Sequence, residues 1–120
     1  LAKSALLLIL LALPAWAQKT NATLDCKPTG VDFVYDCVIR LTPPVTGVQI
    51  TVGADMPSMP MAHQVRPVRA KPGKMPGEYH ARLDLEMQGE WAVKLRLSGP
   101  IRDQLILHYR FTESGTAPRR

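Results

Sequence analysis

The sequence predicts an all-β, immunoglobulin-like sandwich of about seven strands, preceded by a cleaved signal peptide. Three observations carry the fold class: apolar residues alternate with period two along most of the chain, turn residues interrupt them at short intervals, and no segment past the first residues has helical periodicity. Alternation sends successive side chains to opposite faces of a strand, so each segment acquires one buried and one wetter face. A small barrel is the alternative closure of the same strands.

In chain order, a first strand is predicted near Ala22 to Lys27, with Leu24 and Cys26 on one face. Phe33, Tyr35, Cys37, Ile39 and Leu41 alternate in the second, and Val48, Ile50 and Val52 in the third. A strand near Gln64 to Ala70 follows. The next has Tyr79, Ala81, Leu83 and Leu85 on one face, and His80 on the exposed one. Trp91, Val93, Leu95 and Leu97 mark the sixth strand. Leu105, Leu107, Tyr109 and Phe111 mark the last, on which His108 faces outward as an ordinary surface residue. Thr29-Gly30, Pro43-Pro44, Lys71-Pro72-Gly73, Pro76-Gly77, Gln88-Gly89 and Ser98-Gly99-Pro100 separate the segments.

The amino terminus sets the expected compartment. Lys3 gives a positive start, Ala5 to Leu13 an apolar run, and Ala15-Trp16-Ala17 a small-residue cleavage signal. The run is shorter than the roughly 20 residues a membrane helix needs. The expected organisation is therefore a signal peptide over 1–17, a sandwich domain over 18–112 and a flexible tail over 113–120. The product is expected to be periplasmic or otherwise exported, and soluble, without stable membrane insertion. One domain of this size buries a modest core.

The net charge of +5 (15 Lys and Arg against 10 Asp and Glu) is a mild excess, scattered and with few aromatic neighbours. Nucleic-acid binding is not the expected function. Nucleophile elbows, zinc-protease helices and phosphate loops are missing from the sequence, so no enzymatic activity is expected. Cys26 and Cys37 are the only two cysteines. An even pair in an exported chain points to a disulfide, and a hairpin turning near Val31 and Asp32 would bring them opposite each other. A thiolate metal pair is the competing reading, although the spacing is not that of a metal knuckle.

The segment Asp55 to His63 does not read as ordinary structure. Met56, Met59, Met61 and His63 are interleaved with Pro57 and Pro60, which favour a stiff loop. Thioethers are soft ligands suited to Cu(I), and imidazole completes a mixed site. Met75, His80 and Met87 offer further soft donors downstream. The alternative is that these methionines fill gaps at one end of the sandwich.

The blocks Met56-Pro57-Ser58-Met59-Pro60-Met61-Ala62-His63, Pro76 to Leu85 (with Gly77-Glu78-Tyr79) and Glu86 to Val93 (with Met87-Gln88-Gly89-Glu90-Trp91) resemble the YtkA-like/FixH-like family of small extracytoplasmic domains. The resemblance covers roughly Val48 to Leu97. It implies an immunoglobulin-like sandwich associated with copper handling or with assembly of copper-containing respiratory oxidases. It supports Met59, Met61 and His63 as the first metal-ligand candidates, with Met56, His80 and Met87 behind them. It makes a copper-donating or copper-accepting protein, such as a membrane oxidase or efflux component, the expected partner. A metal-free interaction module in envelope or respiratory-complex assembly is the alternative function.

Overall fold

The computed structural model describes residues 19–59 and 64–118. The signal segment, Met61 and His63 lie outside the described residues. Nine strands occur in the order β1 (Asn21–Pro28), β2 (Val34–Thr42), β3 (Gln49–Asp55), β4 (Gln64–Arg69), β5 (Lys71–Pro72), β6 (Glu78–Asp84), β7 (Gly89–Ser98), β8 (Asp103–Thr112) and β9 (Gly115–Pro118). The described residues contain no helix, and thus none long and apolar enough to cross a membrane. One antiparallel sheet has the order β1-β2-β6-β5, the other β4-β3-β7-β8-β9. Lettered in sequence, this is A-B-E-D facing C′-C-F-G with one strand added, the immunoglobulin arrangement.

The inward rows were set by the alternation. Leu24, Tyr35, Ile39, Leu41, Tyr79 and Leu83 from the first sheet meet Ile50, Val52, Trp91, Val93, Leu95, Leu97 and Phe111 from the second in one core. Trp91 is the largest fully buried side chain. Cys26 pairs with Cys37 in the β1–β2 register, and their sulfurs form a disulfide across the two strands. The hairpin reading of the cysteines therefore holds.

Two strands were not anticipated. β5 is only two residues long, paired to His80 and Tyr79 of β6. β9 occupies part of the segment expected to be a flexible tail. It pairs with β8 from Tyr109↔Pro118 to Thr112↔Gly115. Its role is to close an edge. The amides of Leu24 and Cys26 on β1 donate to the Tyr109 hydroxyl (3.0 Å) and to Thr116 Oγ1 (2.9 Å). Gly115 makes the approach possible: its φ is +127°, and a Cβ there would lie 2.6 Å from the Cys26 carbonyl oxygen.

Phe33 also departs from expectation. Its alternation places it on the inner row of β2, but it lies before that strand with φ at +65° and is 37% exposed. Its carbonyl accepts a 2.9 Å hydrogen bond from the Leu85 amide, tying the β1–β2 and β6–β7 connections together.

Candidate functional site at one end of the sandwich

The strand register gathers four connections at one end: 29–33, 56–63, 85–88 and 113–114. The Tyr35 hydroxyl donates to the Thr112 carbonyl at 2.7 Å, joining the two sheets there, and the Tyr35 and Phe111 rings meet edge to face at 5.1 Å. Burial pushes the Tyr35 hydroxyl pKa up; a hydrogen bond with Gln88 opposes this and the Glu113 charge adds to it. These four connections carry Asp32, Glu86 and Glu113 and neither lysine nor arginine. At the other end, 43–48, 73–77 and 99–102 carry Lys74 and Arg102 and no carboxylate. On a net basic chain, the connections at the methionine end thus carry the carboxylates, while Arg66 of β4 shares a surface hollow with Glu86.

Four of the six candidate ligands lie among the described residues, and they separate into three groups. Met56 is a core residue, 5% exposed. It continues the inward row Ile50, Val52, Ala54 by one step, and a Cβ at Gly89 would lie 3.0 Å from its Cε. Met87 likewise continues the row Tyr79, Ala81, Leu83, Leu85, and packs half-buried against the core. The Met87 carbonyl accepts a hydrogen bond from Trp91 Nε1 at 3.2 Å. Met59 is 41% exposed in a turn closed by its amide on the Met56 carbonyl at 3.0 Å. The structure therefore brings the loop carrying Met59 to the same end as Met87, with Met56 anchoring that loop in the core.

His80 stands elsewhere. It is on the outer face of the four-stranded sheet, opposite Val38 and Lys71, about 13 Å along β6 from Asp84 at the usual strand rise. Its Nε2 lies 3.4 Å from Glu78 Oε1, while Arg40 approaches Oε2 at 3.5 Å. The pair sits over Gly73, where a Cβ would collide with both side chains. Among the described residues no three His, Cys, Asp or Glu converge as a metal cluster.

Desolvation pushes the Glu78 carboxyl pKa up, but hydrogen bonds from His80 and from the Met75–Lys74 backbone, with the His80 charge, bring it below the usual glutamate value. A carboxylate depressed in the folded state contributes stability above its unfolded pKa and loses it as pH falls through the folded one. A carboxyl-detected NMR titration should therefore give Glu78 a lower midpoint than an unperturbed glutamate, and His80→Gln should raise it. An unchanged midpoint in His80→Gln would remove the imidazole as the cause.

Sequence reasoning missed the apolar rim of this end. Val31 is 65% and Phe33 37% exposed, at the same end as Met59. Phe33 and Glu86, the two non-glycine residues with positive φ among the described residues, lie there too, the kind of backbone that concentrates at working surfaces. Only the presence of two large apolar residues beside Thr29-Gly30 signalled the rim.

No significant match was found among curated proteins or among solved structures. The family comparison does match, to the description YtkA-like and over residues 32–96. The FixH-like half of the resemblance has no match of its own. The matched span holds β2 to most of β7, including the methionine loop, the His80 strand and the Trp91 strand. As it is more than half of the sequence, the chain belongs to the YtkA-like family.

Proposed function

We propose that this protein is a periplasmic Cu(I)-binding protein that holds the ion at its methionine-rich end and passes it to an exported or membrane partner. The observation that supports this reading is that the connections after Asp55 and after Asp84 leave the same end of the sandwich, where the connecting residues include carboxylates and neither lysine nor arginine. Met59, Met61 and His63 are the proposed ligands, with Met87 as a further candidate. Met56 is the anchor of the loop, and His80 drops out of the ligand set. Copper(I) is soft, and thioethers hold it without deprotonation, so affinity would vary with pH only through His63. Donors on an exposed loop can be replaced singly by those of an acceptor, which suits transfer. A buried disulfide is compatible with the exported compartment this function requires.

The test is competition for Cu(I) against a chromophoric chelator, with Zn(II) as control. The expected result is one Cu(I) per chain, with Met59→Ala plus Met61→Ala lowering affinity about tenfold or more, since two of the few first-sphere donors are lost. Unchanged affinity in that variant would overturn the site.

A second reading is favoured by the exposed Val31, Phe33 and Met59. Under it the same end is a metal-free contact surface for an envelope or respiratory-complex assembly partner, with methionine supplying adaptable apolar area. That reading requires no Cu(I) competition and a loss of partner binding in Phe33→Ser.

A further inference from the structure

The outer face of the five-stranded sheet carries an unmatched charge that the metal reading does not use. Outward residues on neighbouring strands form rows across this face. Between adjacent rows, Asp55 Oδ2 of β3 meets Lys94 Nζ of β7 at 2.8 Å. Further along, Arg110 of β8 meets Glu90 of β7 at 3.4 Å. Those two cations therefore have carboxylate partners.

Arg69 and Arg96 do not. Both are opposite Thr51 in the strand register, Arg69 on β4 and Arg96 on β7. Neither forms an ion pair among the described residues. Two exposed arginines on neighbouring strands thus flank Thr51 in the register, with their backbones about 10 Å apart, two inter-strand spacings. Side chains of arginine length can close that gap onto one ion.

Beside the row the surface is hollow. Gly53 leaves the next outward position of β3 without a side chain, and a Cβ there would still be 3.8 Å from Pro67. Pro67 belongs to the β4 bulge that breaks the register between Val52 and Ala54. The resulting cavity, about 230 Å³, is lined by Thr51, Gly53, Pro67, Lys94, Arg96 and Gln104. Its walls offer hydroxyl, guanidinium and amide donors, while the Lys94 ammonium is already paired with Asp55. Such a donor set, with charge to spare, fits an oxyanion, which a guanidinium can hold through paired hydrogen bonds.

We propose that this cavity binds a small ligand through a phosphate or carboxylate group, held by Arg96 over Thr51, with Arg69, which is outside the lining, reaching in from the neighbouring strand β4. The site is on a sheet face and does not depend on the methionine end or on copper. Binding should weaken with salt, because the charges that make it are exposed.

The test is an NMR titration of the full folded chain with inorganic phosphate, and separately with succinate, at constant ionic strength in chloride. The expected result is saturable movement of the Thr51, Gly53 and Arg96 amides with at least one of the two ions. Arg96→Gln and Arg69→Gln should each weaken it about tenfold, the usual order for a lost charged hydrogen bond. Gly53→Val, which fills the hollow with a residue that favours strands, should also weaken it, whereas Arg110→Gln should not. Preference for phosphate or for succinate identifies which group the natural ligand carries. Shifts that rise linearly without saturation for both ions, or equal affinities in the wild type and both arginine variants, would overturn the site.

Discussion

Trp91→Ala should lower unfolding free energy by about 3–5 kcal/mol, the usual range for removing a large aromatic from a packed core. Trp91 is 1% exposed and is the largest of the fully buried side chains. It stands on the central strand β7, whose neighbours are β3 and β8, so the void would open between both sheets with little freedom to collapse. Domains of this size have about 5–15 kcal/mol in all, so the variant should be near its threshold and should melt early in urea. A loss under about 1 kcal/mol would mean that the indole is not packed as described. Trp91→Phe separates packing from hydrogen bonding. It keeps most of the ring but leaves the Met87 carbonyl without its 3.2 Å donor, at a net cost of about 1 kcal/mol. If Met87 lies beside the metal, this milder variant should also weaken Cu(I) binding while the far-ultraviolet spectrum stays the same.

Removing the disulfide with Cys26→Ala plus Cys37→Ala should cost about 3 kcal/mol. The half-cystines are 11 apart in sequence, and closing a loop of that size removes about that much chain entropy from the unfolded state. At the sensitivity typical of small domains, the melting temperature should fall by roughly 10–25 °C. The hairpin itself should survive. Its register runs from Asn21↔Thr42 to Pro28↔Tyr35, and Leu24, Ile39 and Leu41 still face the core. Both cysteines are 1% exposed, so reductant should act on the native protein only as fast as the hairpin opens. An alanine variant with the melting temperature of the wild type would show that the cross-link does not constrain the unfolded chain.

Much of this architecture was legible because the period-two rows are long. Tyr35 to Leu41, Tyr79 to Leu85 and Trp91 to Leu97 each run over a full strand, and every second residue is apolar. The cysteine pairing followed from the same count, since the two residues are equidistant from the turn. β5 left no such trace, because two residues define no period. β9 left none because Gly115-Thr116-Ala117-Pro118 has no apolar row. Its warrant is long-range, a threonine hydroxyl and a bare glycine set against β1, almost a chain length away. The candidate site was legible only in part. The methionine loop declared itself by composition, but Met56 and Met87 were also the next members of inward rows, and proline in the first case and a turn in the second disguised the continuation. His80 was placed on its correct face, yet no local pattern reports which end of a sandwich a strand's middle is near. The Arg69–Thr51–Arg96 row was invisible for a similar reason: it exists only when β4, β3 and β7 lie side by side.

The closure of β1 by Tyr109 and Thr116 governs how the protein behaves in company. An outermost strand with idle amides is a template on which another chain can grow, and sheets normally disarm it with charge, proline or a cover. Here the cover is Tyr109 with β9, and the Leu24 and Cys26 amides that would recruit a foreign strand are occupied by side chains from β8 and β9. A polypeptide ending at Thr112 would lose the Thr116 half of that cover and the Gly115 contact. The disulfide would then hold β1 rigidly straight beside an open flank, ready to be copied. Half of that resistance to self-association is therefore vested in the four residues of β9, which carry none of the core and none of the metal chemistry.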